Sequence, residues 1–413
     1  MTQPRSNWPK NLLTISENQA RFDRPMLGTG LWRLGFRPFY LGAAAMSIFS
    51  VLAWIGVLFN LFSLPAGHHN MPTMYWHAHE MVFGFAFAVI AGFLLTAANN
   101  WTGHVPAAGR PLILLFCTWL AGRILFLMAW YPAAALLDLL FALSLIGLIL
   151  RVLCLARLWR NLPILGLVVL MGSLNALFYA SLLDLYDGTL LAPIEGALLM
   201  MLQLLVVMGG RVIPMFSQNG VPGLKPWRPA ILDKITPAIT FLAIVSWLVL
   251  PATLAFTACL VAGLINLIRW LGWKPWRTLH HPMVWILQLG YAWIPLTLIL
   301  LGCVRMDWMP HTLAIHALGT GALGMIVIGM ITRTAMGHTG RMIKDSRIER
   351  LCFLLIGFSA VLRVAAALPL SMDSLFIDAL ISLAALTWST AFGLYIFRYA
   401  PWLLRPRIDG KPG

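Results

Sequence analysis

The stretch WHAHEMVFGFAFAVIAGFLLTAANN, residues 76–100, decides the fold class of this chain. Residues 81–98 carry no charge, and a run of that length and apolarity is typical of a helix that crosses a bilayer. Two histidines and a glutamate, His77, His79 and Glu80, stand directly before it. Ionisable groups are costly in hydrocarbon unless they are paired, so this group predicts a functional site at a membrane boundary.

Apolar stretches of this kind recur along the whole chain. Of its 413 residues, 60% are hydrophobic and 10% are charged, and the mean hydropathy is +0.83. This composition predicts an all-α polytopic membrane protein with twelve transmembrane helices. The predicted spans are 39–62, 80–98, 111–130, 133–153, 161–183, 193–211, 236–250, 253–271, 283–304, 311–332, 351–369 and 376–398.

The basic residues that give the net charge of +15 are distributed as a membrane topology predicts. If the N-terminus is cytoplasmic, nearly all lysines and arginines fall on the cytoplasmic side, and the exceptions are Arg123, Arg305 and Arg363. The positive-inside rule therefore predicts that both termini are cytoplasmic. The expected partner of this basic charge is anionic membrane lipid, with no role for nucleic acid.

The chain is expected to divide into a cytoplasmic segment (1–38), a transmembrane domain (39–398) and a cytoplasmic tail (399–413). The N-terminal segment lacks the apolar core of a cleaved signal peptide, so the first span should be retained.

Helices 2 and 10 are similar in sequence. When His79 is aligned with His316, four further identities follow at Gly84/Gly321, Gly92/Gly329, Thr102/Thr339 and Gly103/Gly340. Helix 6 aligns more weakly, through glycines alone. Since helices 2, 6 and 10 are four apart, the pattern predicts three pseudo-repeated sets of four helices.

His316 lies deeper in its span than the other histidines near the outer face, and a neutral imidazole at that depth suits a haem iron. Gly319, Thr320 and Gly324 share its helix face and leave room for a flat cofactor. We expect His79 and His316 to be the axial pair, with His77 in another site or bound to headgroups. Headgroup contacts are also the expectation for His68, His69 and His311.

Three carboxylates near the same level are candidate proton carriers: Glu80, Glu195 and Asp138. The alternative for Glu195 and Asp138 is a structural role at helix N-termini. Arg123 is expected to balance Asp138 or a haem propionate.

A second cluster is predicted at the cytoplasmic face, where His281, His338 and Arg341 come to one level with Arg211 and Arg333. His281 and His338 are the expected pair if a second haem or a metal binds there. The alternative is that they are solvated or bind phosphate headgroups.

Four motifs carry a resemblance to a known family: WRLGFRPFYL (32–41), the 76–103 stretch, GGRVIPMF (209–216) and GHTGR (337–341). The chain resembles the NnrS family of bacterial membrane proteins. The resemblance implies a twelve-helix protein of the bacterial cytoplasmic membrane that contains haem, with copper also implied, and that belongs to the response to nitric oxide. The plan is distantly similar to haem–copper oxidases and nitric oxide reductases, although helices 6 and 7 lack a counterpart of their copper-site histidines.

The leading functional hypothesis is reduction of nitric oxide to nitrous oxide with electrons from quinol. The absence of a CxxCH motif predicts non-covalent haem b, either one or two. The alternative is a non-catalytic haem or copper protein: a nitric oxide sensor, a nitric oxide buffer or a metal-handling protein. A solute transporter is disfavoured, because the ionisable groups gather at the helix ends.

Overall fold

The computed structural model describes residues 30–65 and 71–411, and these residues form twelve long helices joined by short connections. They are α1 (Phe36–Leu58), α2 (Thr73–Thr102), α3 (Arg110–Leu127), α4 (Tyr131–Leu155), α5 (Leu162–Leu182), α6 (Leu191–Gly220), α7 (Ala230–Val249), α8 (Ala252–Gly272), α9 (Pro282–Arg305), α10 (His311–His338), α11 (Arg347–Ala365) and α12 (Ser374–Leu403). Three short 3₁₀ turns, Gly30–Trp32, Trp159–Asn161 and Pro275–Thr278, precede α1, α5 and α9.

Eleven of these helices are long and apolar enough to cross a membrane. The twelfth, α11, carries Glu349, Arg350 and Arg363 within a short helix, which makes it less apolar than the others. No strand occurs in the part of the chain that the structure describes. The predicted all-α class is confirmed, and the many apolar helices make this a multi-pass membrane protein.

Three helices occupy the centre of the bundle. The spans of α2, α10 and α6 are 89%, 72% and 67% buried, which exceeds every other span. The remaining helices pack in succession around them: α3, α4 and α5 lead to α6, then α7, α8 and α9 lead to α10, and α11, α12 and α1 lead to α2. This places the N-terminal ends of α2 and α10, with their histidines, inside the bundle.

Several helix boundaries differ from the predicted spans, among them those of α2, α6, α7, α10 and α12. Helix α2 begins at Thr73 instead of residue 80, so His77 and His79 lie within it. Helix α6 continues to Gly220 instead of ending at 211, and it includes Pro214. A proline costs a helix one hydrogen bond but need not end it where packing holds both sides. The long connection predicted at 212–235 therefore shortens to 221–229.

Helices α2 and α10 share two local irregularities. A π-helical segment follows His79 at Glu80–Ala86, and another follows His316 at Ala317–Leu323. Both helices are followed by a glycine with positive φ, +71° at Gly103 and +80° at Gly340. These positions correspond in the sequence alignment of the two helices. Helix α6 is α-helical throughout, and a repeat of three sets stays a prediction.

Candidate functional site

His79 is fully buried, and both of its ring nitrogens are engaged. Its Nδ1 lies 3.1 Å from Glu80 Oε1, and its Nε2 lies 2.9 Å from Asn175 Oδ1. The Asn175 amide is oriented by its own Nδ2, which donates to Asp138 Oδ2 at 3.3 Å. Both ring nitrogens of His79 therefore lie against oxygen atoms of neighbouring side chains. In this arrangement neither nitrogen faces a position that a metal could occupy.

Arg123 joins the two carboxylates beside His79. Its Nη1 donates to Glu80 Oε1 at 2.6 Å, and its Nη2 donates to Asp138 Oδ1. The hydroxyl of Tyr179 also donates to Asp138, at 2.8 Å. These side chains form a buried network of charged and polar groups that links α2, α3, α4 and α5, which we call the ion-pair network.

The contacts within the ion-pair network limit the roles that Arg123, Glu80 and Asp138 can have. Arg123 balances Asp138, as expected from the sequence, and it also pairs with Glu80. The buried guanidinium of Arg123 binds both carboxylates, so Glu80 and Asp138 serve the packing of four helices. Their predicted role as proton carriers would require this network to open.

His77 is held differently from His79. Its Nδ1 lies 3.3 Å from the carbonyl oxygen of Ser50 in α1, and its ring stacks on Trp54 with centroids 5.5 Å apart. Because the carbonyl only accepts, Nδ1 carries the proton, and the lone pair of His77 is on Nε2. Metal-binding histidines are oriented in this way by a backbone carbonyl or a carboxylate.

His316 repeats this arrangement on α10. Its Nδ1 lies 2.7 Å from the carbonyl oxygen of Thr312, one turn earlier, which leaves its lone pair on Nε2. Beside it, a Cβ added to Gly319 would meet nothing within 4 Å. Gly324 differs, because a Cβ there would lie 2.6 Å from the Trp388 ring. Gly319 therefore borders open space, whereas Gly324 is needed for helix packing.

The start of α10, which carries His316, packs on α11, which carries Arg363. The start of α2, which carries His77, and the segment of α10 that follows His316 both pack on α6. Arg363 is half-buried and has no acidic partner among the described residues. Two imidazoles with free Nε2 atoms, an open glycine and an unpaired cation fit a haem, whose propionates would balance Arg363.

Glu195 and His311 form an ion pair where α6 and α10 begin. Glu195 Oε1 lies 2.7 Å from His311 Nε2, and the His311 ring stacks on Trp247. Both side chains are partly exposed. This pair joins two central helices at the surface, one turn from His316.

The histidines predicted at the opposite end lie in different surroundings. His281 lines a pocket with Arg333, whereas His338 packs against Phe36, and Arg407 donates to its carbonyl. Within residues 30–65 and 71–411, no three His, Cys, Asp or Glu side chains are grouped to hold a metal. His68 and His69 lie outside the described residues.

Arg341 also lies at this opposite end. Its guanidinium stacks on Trp402 at 4.3 Å. Partial burial lowers its pKa, and so do the neighbouring cations Arg398 and Arg405. A bound anion would therefore stabilise the Arg341 guanidinium. The sequence predicted an anionic group at this end of the bundle.

Three residues of these sites were not predicted from the sequence. Asn175 and Tyr179 are one turn apart on α5 and both contact Asp138, a spacing of polar groups within an apolar helix that was available as a signal. Arg363 was recognised as an intramembrane charge, but its place on the helix that packs on the start of α10 was not predicted.

Two comparisons with known proteins bear on identity. No curated protein matches the chain. The family model described as NnrS protein matches residues 30–407, which is nearly the whole chain. The match spans all twelve helices and both histidine-bearing helix starts, and we conclude that this chain belongs to the NnrS family.

Proposed function

We propose that this protein binds one haem b between His77 and His316 and uses it to reduce nitric oxide to nitrous oxide. NnrS membership fits a membrane protein of the nitric oxide response, and the proposal adds a site and a reaction to it. The observation that carries it is that these two histidines, on different central helices, both donate from Nδ1 to a backbone carbonyl and keep Nε2 available.

His77 replaces His79 as the partner of His316 in this proposal. The two residues are two positions apart, so their side chains point about 200° apart around the helix. His79 turns towards α5, and both of its ring nitrogens contact side-chain oxygens. His77 turns towards α1 and keeps Nε2 available.

The haem would supply the iron that binds nitric oxide and passes electrons to it. The overall reaction is 2 NO + 2 e⁻ + 2 H⁺ → N₂O + H₂O, and one quinol, oxidised to quinone, supplies both electrons and releases two protons. Nitric oxide is apolar and reaches a site inside the bundle through the lipid. Quinol dissolves in the same bilayer.

Protons would enter through the pair of Glu195 and His311. This pair is partly exposed, and His311 is within electrostatic range of His316. Glu80 and Asp138 are bound to Arg123 in the ion-pair network and would not take part. Arg363 would hold the propionates and so orient the macrocycle.

One observation favours a second function. A haem held by both His77 and His316 would supply an iron that binds nitric oxide, and a sensor or buffer needs only this binding, without turnover. His77 would be the less firmly oriented of the two residues, because its Nδ1 contact is 3.3 Å long against 2.7 Å for His316. Copper would need another site, because no three potential ligands are grouped among the described residues.

The deciding experiment is an anaerobic assay of the purified protein with a quinol analogue, with haem and copper quantified in the same sample. Consumption of nitric oxide with formation of half as much nitrous oxide is the expected result. Nitric oxide binding in a one-to-one ratio with haem and without nitrous oxide would replace the reductase by the sensor or buffer.

A further inference from the structure

A pocket of about 440 Å³ opens at the end of the bundle farthest from His77 and His316. It lies between the ends of α6 and α10, the start of α9 and the segment before α11. Its polar lining consists of Asn219, His281, Arg333, Lys344 and Asp345. Neither the ion-pair network nor the proposed haem site includes these residues.

Arg333 is the buried charge of this pocket, with 7% of its surface exposed. Its Nη1 donates to the Met283 carbonyl at 2.9 Å, and its guanidinium lies 4.1 Å from the Phe216 ring centroid. Its Nε has no hydrogen-bond partner among the described residues. A buried guanidinium without an anion is costly, so this arrangement calls for one.

The one carboxylate that lines the pocket is already paired and does not balance Arg333. Asp345 is held by Arg350, with Oδ2 2.6 Å from Nε. Lys344 is exposed and has no ionic partner in the part of the chain described, and His281 is half-buried beside it. The pocket therefore carries a surplus of positive charge around a cavity that can admit a small headgroup.

We propose that this pocket binds a phosphate group, either that of an anionic lipid headgroup or that of a free phosphate in solution. A guanidinium fork with an adjacent lysine and imidazole matches the oxygens of phosphate in charge and in donor geometry. A quinol headgroup fits less well, because it is uncharged and would leave Arg333 unbalanced. The pocket is also about 25 Å from His316 along α10, which is far for electron transfer to the proposed haem.

The test is calorimetric titration of the full-length protein in phosphatidylcholine nanodiscs with two probes, short-chain phosphatidylglycerol and inorganic phosphate. Saturable binding of phosphatidylglycerol that inorganic phosphate does not displace identifies the lipid source. Binding of inorganic phosphate itself, which excludes phosphatidylglycerol, identifies the soluble source. Failure of both probes to bind overturns the proposal.

Variants locate the binding in the pocket. Lys344→Gln should weaken binding about fivefold, and Arg333→Gln should abolish it, with partial rescue by Arg333→Lys. Lys225→Gln is the matched control, because Lys225 is also exposed and lies outside the pocket lining. An equal loss in Lys225→Gln and Lys344→Gln would show general surface attraction and overturn the site. The haem content of each variant is measured separately. It reports whether the variant is folded and whether the haem site of the proposed function is intact.

Discussion

Each histidine at the α2 and α10 end takes its chemistry from the groups that its ring nitrogens contact. A backbone carbonyl on Nδ1 leaves Nε2 of His77 and His316 available, whereas both ring nitrogens of His79 contact side-chain oxygens. The sequence shows three histidines near one level and the small residues beside them. It does not show which face of α2 turns towards α5, because that depends on packing with helices distant in the chain.

The ion-pair network should be costly to break. Arg123→Gln leaves Glu80 and Asp138 buried without their shared cation, and we expect a loss of about 3–5 kcal/mol of stability. Thermal unfolding in detergent measures it. Arg350→Gln is the control, since its side chain is 61% exposed in its pair with Asp345 and exposed pairs contribute about 0–1 kcal/mol. Equal melting temperatures for both variants would contradict a structural role of the network.

Glu195 is expected to serve proton delivery. In Glu195→Gln, nitric oxide reduction should slow about 10²-fold or more, while the haem spectrum stays unchanged, because Glu195 pairs with His311 and is not a proposed ligand. Turnover of the variant at several pH values checks this. Unchanged turnover would show that protons enter by another route.

At the scale of helices, a π-helical segment directly follows a histidine in both α2 and α10, and in α10 this segment consists mostly of small residues. Gly321 lies directly against the indole of Trp293, so that a Cβ added there would overlap the ring, whereas Gly319 faces open space. The glycine pattern was readable in the sequence. The sequence did not show which glycines pack against a neighbouring helix and which one faces open space. That distinction depends on the side chains of the neighbouring helix.

Gly319→Leu tests the open space beside His316. The folded protein should accept the side chain, yet haem content should fall several-fold, because the leucine occupies the volume proposed for the macrocycle. Haem per protein after purification gives the measurement. Gly147→Leu on α4 is the matched control, as its added atoms also meet nothing within 4 Å. Full haem content in Gly319→Leu would place the cofactor elsewhere.

At the scale of the whole molecule, the apolar runs predicted every helix, because each span must satisfy its own backbone in lipid. Helix ends were less predictable. Beyond the hydrocarbon, hydrophobicity no longer reports where a helix stops, so α6 continues through Pro214 to Gly220. The outer helices pack in succession onto α2, α6 and α10. This order agrees with the four-helix spacing inferred from glycines, although the sequence similarity of α6 was too weak to establish a repeat.

The basic residues predict an orientation in the membrane that can be measured. An Asp187→Cys variant, between α5 and α6, should react with a membrane-impermeant thiol reagent on intact cells. A Lys225→Cys variant, between α6 and α7, should react only after the cells are opened. The background is a protein whose five cysteines are replaced by serine. The reverse labelling pattern would invert the topology and place the proposed haem site at the cytoplasmic face.

The central claim is tested most directly by optical and electron paramagnetic resonance spectra of the purified protein and three variants. We predict a bis-imidazole haem signal in the parent protein, its loss or conversion in His77→Ala and in His316→Ala, and its retention in His79→Gln. A signal that survives in His77→Ala and disappears in His79→Gln would contradict the assignment, because the iron would then be bound by the histidine that this structure places in the ion-pair network.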